Sequence, residues 1–136
     1  MALKVGAPDA GADSDAVVRE VRAAFEQYER ALIAHDIETL NGFFLNSADS
    51  IRYGIAEQNY GIEAIAAYRR GSVPVHRERR MLRTVVPSYG ADVACVSTEF
   101  TAPAPAGLGR QTQTWVRTAE GWKIAVAHVS VSQAAR

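Results

Sequence analysis

The sequence predicts an α+β fold in which three N-terminal helices and a cone-shaped, curved antiparallel sheet enclose a pocket. In the first half of the chain, apolar residues recur at three- and four-residue spacing, as they do on one face of a helix. After residue 80 they alternate with polar residues in segments rich in β-branched and aromatic side chains, which is typical of strands. Helices followed by strands favour an arrangement with the helices packed on one face of the sheet.

Length and composition indicate one soluble domain. The chain has 136 residues, and its 15 basic residues balance 15 acidic ones, so its net charge does not predict binding to nucleic acid or to an anionic membrane. No apolar run has the length of a membrane-spanning helix, and we expect a cytoplasmic protein. We expect a disordered N-terminal tail over residues 1–14, one domain over residues 15–132 and a C-terminal tail over residues 133–136.

Three helices are predicted. The first runs from Ala16 to about His35, with Asp15 or alternatively Ser14 as its N-cap. A second, in IETLNGFF, is capped by Asp36, and a third, IEAIAAYRRG, ends at Gly71. The apolar stripe of the first helix consists of Val17, Val18, Val21, Ala24, Phe25, Tyr28, Leu32 and Ile33.

The strands are predicted in SIRYG and in four later segments, MLRTVVPSYG, ADVACVSTEF, RQTQTWVRTAEG and WKIAVAHVSV. EQNYG is interpreted as a return turn. Strict alternation along the last strand places Trp122, Ile124, Val126, His128 and Ser130 on one face. We expect that face to become a cavity wall with His128 and Ser130 at its polar floor. The other face, with Ala127 and Val129, is then available to another subunit. In the preceding strand, alternation leaves open which set faces inward.

Charged residues near the predicted pocket have competing interpretations. Arg52, between Ile51 and Tyr53, is either a solvated edge residue or a fixed positive charge directed at a ligand. Glu57 is interpreted as a turn residue that is also able to hold Arg52 in place. Arg69 and Arg70 are adjacent, so at most one of them faces the cavity, and we favour Arg69. The segment HRERR, residues 76–80, is interpreted as a solvated loop whose charges neutralise one another.

The final segment, QTQTWVRTAEGWKIAVAHVS, resembles the end of the SnoaL-like and nuclear-transport-factor-two-like superfamily. In that superfamily a tryptophan, a tight turn, a second tryptophan and a His-x-Ser pattern close a cone-shaped barrel. The resemblance implies that Gln113, His128 and Ser130 line the pocket.

More specifically, IRYGIAEQNYGIEAIAAYRR, RTVVPSYGADVACVSTEF and GRQTQTWVRTAEGWKIAVAHVS resemble the AtzH-like family, which includes oxalurate-catabolism proteins of the HpxZ type. The likeness extends from about Val17 to Val131. It implies a homodimer of bacterial nitrogen catabolism with a functional link to an amidase-signature enzyme. It also implies hydrolysis, with loss of a carboxylate, of a carboxylated urea such as 1,3-dicarboxyurea to give allophanate, or a role in oxalurate breakdown. The catalytic pair it implies is Tyr28 and Arg52.

These residue types suit a small anionic ureide. The planar guanidinium groups of Arg52 and Arg69 match a carboxylate bidentately. Tyr28 lies on the apolar stripe of its helix, where a tyrosine is more often a core residue. Its hydroxyl requires a nearby cation to act as a base, and Arg52 is the candidate for that cation. His128 is either a proton shuttle or a residue that satisfies a backbone carbonyl.

Further ligand contacts are expected from Gln113, Ser130, Tyr68 and Trp115. No metal cluster, Ser-His-Asp set or phosphate loop is evident in the sequence, and we expect no cofactor.

Overall fold

A computed structural model describes residues 12–133, with side chains from Ser14 onwards. In this part of the chain the helices are α1 (Ala12–Ala34), α2 (Ile37–Phe43) and α3 (Ile62–Arg70). The strands are β1 (Ile51–Tyr53), β2 (Gln58–Tyr60), β3 (Arg80–Val85), β4 (Val93–Thr101), β5 (Gly109–Thr118) and β6 (Gly121–Val131). They form one curved, unclosed sheet in the order β2-β1-β6-β5-β4-β3. The predicted α+β class is confirmed.

The sheet was predicted to be antiparallel, but it is mixed. β3 to β6 form the expected antiparallel meander, but β1 pairs in parallel with β6, with Arg52 beside Ala127. EQNYG, predicted as a turn, contains β2, which pairs antiparallel to β1 with Asn59 opposite Arg52. The short hairpin β1–β2 thereby extends the inner face of the sheet and places two polar side chains beside each other on it.

The first helix begins earlier than predicted. α1 starts at Ala12, so Ser14 and Asp15, the two predicted caps, both lie inside its first turn. The Ser14 hydroxyl is buried and shares a hydrogen bond of 2.7 Å with the Ser88 hydroxyl. The Ser14 hydroxyl, which the sequence pattern predicted to cap the helix, therefore makes a tertiary hydrogen bond instead. Of the tails predicted at residues 1–14 and 133–136, residues 1–11 and 134–136 lie outside the described residues, whereas residues 12–14 belong to α1.

The other helix ends follow the sequence pattern. Asp36 caps α2, and its carboxylate accepts hydrogen bonds from the backbone N–H and the hydroxyl of Thr39. Gly71 is the C-cap of α3, and its N–H donates back to the last turn. The apolar stripe of α1 packs into the core with buried residues of α2 and the sheet, as predicted, except for Ile33, which is exposed. Tyr28 belongs to this stripe and is 3% exposed.

A β-bulge in β6 reverses the faces of the strand. Thr114 pairs with Val126 and Trp115 with Ile124, which leaves Ala125 as an extra, unpaired residue. Trp122 and Ile124 are therefore buried on the inner face, but beyond the bulge Ala127 is buried and Val126 and His128 are exposed. The predicted grouping of His128 and Ser130 with Trp122 is wrong, because strict alternation does not survive an inserted residue.

Gly109 is required where β5 begins. It pairs with Phe100 of β4, and the Phe100 ring occupies the space into which a β-carbon at Gly109 would project. We expect Gly109→Ala to lower the free energy of unfolding by about 2 kcal/mol, because the ring must move out of its packed position. Urea denaturation measures this loss. Gly42→Ala in α2 is the matched control, since nothing lies within 4 Å of a β-carbon there; equal losses in the two variants would contradict the prediction.

Candidate functional site

A cavity of about 410 Å³ lies on the inner face of the sheet. α1 contributes Tyr28, β1 contributes Arg52, α3 contributes Tyr68 and Arg69, and β5 contributes Gln111. The segment from Ser72 to Val75 and the residues around Pro105 add apolar surface. Both the helices and the sheet therefore supply polar side chains to the same cavity.

Arg52 is a buried, fixed cation. Its residue is 9% exposed, and its Nη1 donates to Oε1 of Glu57 at 2.9 Å and to Oδ1 of Asn59 at 3.1 Å. The guanidinium carbon also lies 4.1 Å from the centre of the Tyr68 ring, a cation–π contact. Only Nη1 is used by these partners, so the remaining N–H groups of Arg52 are available to a ligand. The sequence left two interpretations of Arg52, and its burial agrees with a fixed positive charge rather than with a solvated edge residue.

The turn after β1 is built to hold Glu57 against Arg52. A β-carbon at Gly54 would overlap the Glu57 carboxylate, so the glycine makes room for the ion pair. The Gly54 N–H also donates to the Glu57 carbonyl at 2.8 Å. Partial burial alone would raise the pKa of Glu57, but hydrogen bonds from Arg52 and Tyr68 and the charge of Arg52 outweigh it and lower the pKa. Glu57 therefore stays ionised and keeps Arg52 in place.

Arg69 provides the second buried cation and contacts the catalytic candidate directly. Its Nη2 donates to the Tyr28 hydroxyl oxygen at 3.2 Å, and its Nε is buried with no hydrogen-bond partner among the described residues. Arg69 is 5% exposed whereas Arg70 is exposed, in agreement with the preference for Arg69. The cation beside Tyr28 is thus Arg69; the sequence suggested Arg52 for that position.

A second polar cluster lies further along the same inner face. Arg79 donates to both oxygens of Glu29, at 3.0 and 3.3 Å, and its guanidinium carbon lies 3.7 Å from the Phe100 ring centre. Gln111 donates from Nε2 to Glu29 at 3.0 Å. The side chains of Arg79 and Glu29 are 7% and 10% exposed. The interpretation of HRERR as a wholly solvated loop is therefore wrong for Arg79, whose partner lies 50 residues earlier.

Three predicted site residues lie outside the cavity, and a fourth, His128, lies at its rim. Gln113 is fully buried, and its oxygen accepts a hydrogen bond of 3.0 Å from Nε1 of Trp115. Trp115 is a core residue whose ring packs edge-on against Phe43. Neither borders the cavity. Beyond the β6 bulge, His128 and Ser130 are on the outer side of the strand; His128 reaches only the cavity rim, where its exposed ring packs against Tyr53.

Four residues of the site were not assigned to it from the sequence: Arg79 and Gln111, which line the cavity, and Glu29 and Asn59, which hydrogen-bond to lining residues. A signal existed for Gln111, because Gln111 and Gln113 alternate on one face of β5 and the sequence left that face undecided. No local signal distinguishes Glu29 from the exposed acidic residues of α1. Its burial depends on Arg79 and Gln111, which reach it from distant parts of the chain.

Two further properties restrict the kinds of site present. Among the described residues, no group of three or more histidine, cysteine, aspartate or glutamate side chains is placed to hold a metal ion. In the same part of the chain, none of the helices has the length and apolarity needed to cross a membrane.

The curved sheet, the three helices and the arginine-lined cavity define a protein of the nuclear-transport-factor-two-like fold class. A protein of that class from Pseudomonas putida superimposes with a TM-score of 0.72 at 20% identity, covering 85% of this chain and 87% of the other. The AtzH-like family model matches residues 11–135, and the chain belongs to this family.

Two solved structures are more similar in sequence. A cystatin-like fold protein from Burkholderia xenovorans is 50% identical, with a TM-score of 0.84, and the match covers 89% of this chain and 95% of the other. A protein of unknown function from Pectobacterium atrosepticum is 42% identical, with a TM-score of 0.83 and coverage of 87% and 92%. No match was found among curated proteins.

The Arg79–Glu29 pair should contribute far more to stability than an exposed pair. We expect Arg79→Met to lower the free energy of unfolding by about 3 kcal/mol, because it leaves a buried carboxylate without its cation. Arg117→Met is the matched control: Arg117 pairs with Glu20 at 3.1 Å, but the two side chains are 39% and 46% exposed, and its loss should cost less than about 1 kcal/mol. Similar losses in urea denaturation would contradict this difference.

The lowered pKa of Glu57 gives its ion pair a defined pH dependence. The contribution of ionised Glu57 to stability is fully present above the unfolded-state pKa, near the ordinary value of 4.5. It is lost as the pH falls through the lower pKa of the folded state. The difference in unfolding free energy between wild type and Glu57→Gln should therefore be constant at neutral pH and shrink only below about pH 4.5. A difference that shrinks already between pH 7 and pH 5 would contradict the assignment.

Proposed function

We propose that this protein is a cofactor-free hydrolase that removes a carboxyl group from a carboxylated urea such as 1,3-dicarboxyurea and releases allophanate. The observation that carries the proposal is the hydrogen bond from buried Arg69 to the Tyr28 hydroxyl, in a cavity that Arg52 also lines. Family membership supports the same choice of reaction.

Arg52 and Arg69 would bind the anionic ligand. Both are buried and border the cavity, and Nη1 of Arg69 and Nη2 of Arg52 have no hydrogen-bond partner among the described residues. An unpaired donor on a buried cation costs free energy until an acceptor reaches it. A carboxylate supplies that acceptor and the opposite charge, and its geometry matches a guanidinium group. The arrangement is therefore better completed by a carboxylate than by a neutral ligand.

Tyr28 would act as the proton donor. Because its oxygen accepts a hydrogen bond from Arg69, the hydroxyl proton is free to be donated to the ligand. When the bond between a urea nitrogen and its carboxyl carbon breaks, the electron pair stays on the nitrogen, which takes up one proton. The carboxyl group leaves as carbon dioxide, or as bicarbonate if water attacks its carbon. Arg69 stabilises the tyrosinate until solvent returns the proton.

The second candidate is a non-catalytic accessory protein that binds a small ureide or carboxylate for an amidase-signature enzyme of oxalurate breakdown. One observation favours it: His128, the residue expected to shuttle protons, has an exposed ring at the rim. The cavity retains its carboxylate-binding arginines without that group. Folds of this class support both enzymes and binding proteins, so the fold does not decide between them. The homodimer, the amidase partner and the cytoplasmic location stay predictions.

Turnover by the purified protein separates the two candidates; it is followed as release of carbon dioxide from dicarboxyurea and of carbon dioxide and ammonia from oxalurate. We expect Tyr28→Phe to lower kcat by about 100-fold with little change in KM, since a positioned proton donor contributes on that order. Arg52→Met should instead raise KM about tenfold or more, because a charge-assisted hydrogen bond to the ligand is lost.

Tyr60→Phe is the control, because Tyr60 is exposed on the outer face of β2. Full activity of Tyr28→Phe would remove its hydroxyl from the mechanism. Saturable binding without turnover of either compound would establish the accessory role instead.

A further inference from the structure

We propose that Gln111 is the hydrogen-bond acceptor that recognises an N–H group of the bound ligand, and that Glu29 and Arg79 fix the orientation of its amide. The inference rests on the proposed function, since it assumes an anionic ligand held by Arg52 and Arg69. It adds a ligand feature that the arginines cannot bind, because they have no acceptor. This feature is a free N–H group on the part of the ligand away from its carboxylate.

The orientation of the Gln111 amide follows from its neighbour. A glutamine side chain has an NH₂ donor on one side and an oxygen acceptor on the other. Glu29 accepts two hydrogen bonds from Arg79 and, as a carboxylate paired with a guanidinium group, it only accepts. The Gln111 nitrogen must therefore face Glu29, as it does at 3.0 Å. Its oxygen is directed away from Glu29.

That oxygen is open to the cavity. Gln111 lines the cavity, and its oxygen has no hydrogen-bond partner among the described side chains. It is also not sealed from solvent, because the buried and unpartnered side-chain atoms of the described chain belong to Asn41, Arg69 and Gln113. A residue only 6% exposed thus presents an acceptor whose direction is set by a buried ion pair.

An acceptor at this position changes which ligands the cavity favours. Arg52 and Arg69 only donate, and the Glu57 oxygen nearest to Arg52 is already used by it. A plain carboxylate satisfies the arginines but offers only acceptors to Gln111. A ureide with a carboxylate satisfies both, because its N–H group donates to the Gln111 oxygen. The structure therefore favours carboxylates that carry a ureide over carboxylates alone.

Binding of oxalurate and oxalate, measured by calorimetry, tests the proposal, because oxalate has the carboxylates of this ligand class and lacks N–H groups. Gln111→Met keeps the side-chain length and removes the acceptor. We expect it to weaken oxalurate binding about tenfold and to leave oxalate binding unchanged. Gln58→Met, on the exposed side of β2, is the matched control and should change neither. Arg52→Met should weaken both ligands.

A double-mutant cycle tests the positioning role of Glu29. Glu29→Gln allows the Gln111 amide to turn over, so this variant should also lose oxalurate affinity selectively. If Glu29 acts through Gln111, adding Glu29→Gln to Gln111→Met should cause no further loss. A purely structural role would instead give additive losses and would affect oxalate as well.

The possible results distinguish a failure of the role of Gln111 from a failure of the proposed function. If the wild type binds oxalurate and Gln111→Met binds it with the same affinity, the role of Gln111 is overturned and the proposed function stands. Equal weakening of oxalurate and oxalate in that variant also overturns it, because the residue then acts through the arginines or the fold. Failure of the wild type to bind either compound overturns the proposed function and this inference together.

Discussion

The burial of guanidinium groups is the constraint on which the rest of this site depends. Removing such a charge from water costs several kcal/mol unless it is paired and its N–H groups are satisfied. Arg52 is satisfied by Glu57, Asn59 and the Tyr68 ring, and Arg79 by Glu29 and the Phe100 ring. Arg69 contacts the Tyr28 hydroxyl and lies 5.9 Å from the Tyr68 ring centre, and no carboxylate of the described chain pairs with it. The least satisfied cation is therefore the one beside the proposed proton donor.

Helix α1 connects the two polar clusters through consecutive residues. Tyr28 accepts from Arg69, and Glu29 accepts from Arg79 and Gln111. Consecutive helix residues point about 100° apart, so both can be buried only where the helix is covered on more than one side. The curved sheet covers Glu29, and Phe43 and Phe44 at the end of α2 cover Tyr28 together with Arg69 of α3. A shift of α1 against the sheet would disturb both clusters together, so their geometry is coupled through the packing of its apolar stripe.

The sequence predicted what depends on local pattern and missed what depends on distant contacts. The helical stripe containing Tyr28, the Asp36 cap and the meander are local features, and they are present as predicted. The prediction that His128 and Ser130 face the cavity was wrong because one inserted residue, Ala125, reverses the strand faces. Nothing in WKIAVAHVSV marks that bulge. Arg79 was assigned to solvent because its partner Glu29 is brought close only by the complete fold. Arg52 needed the family resemblance, since strand alternation gives two faces without identifying the cavity.

The charges around the cavity bear on the kind of ligand that fits it. In the described chain, three buried arginines, Arg52, Arg69 and Arg79, are balanced by two carboxylates, Glu29 and Glu57, which leaves one positive charge. A ligand with one carboxylate neutralises that charge, whereas a ligand with two brings one negative charge in excess into a region of low dielectric. Loss of one carboxyl group, with uptake of one proton on nitrogen, converts the second kind of ligand into the first. On the proposed function, the cavity is thus electrostatically matched to a monoanionic product such as allophanate more closely than to the dianionic substrate. This mismatch acts in the direction of decarboxylation, because charge repulsion in the bound substrate is relieved as the carboxyl group leaves.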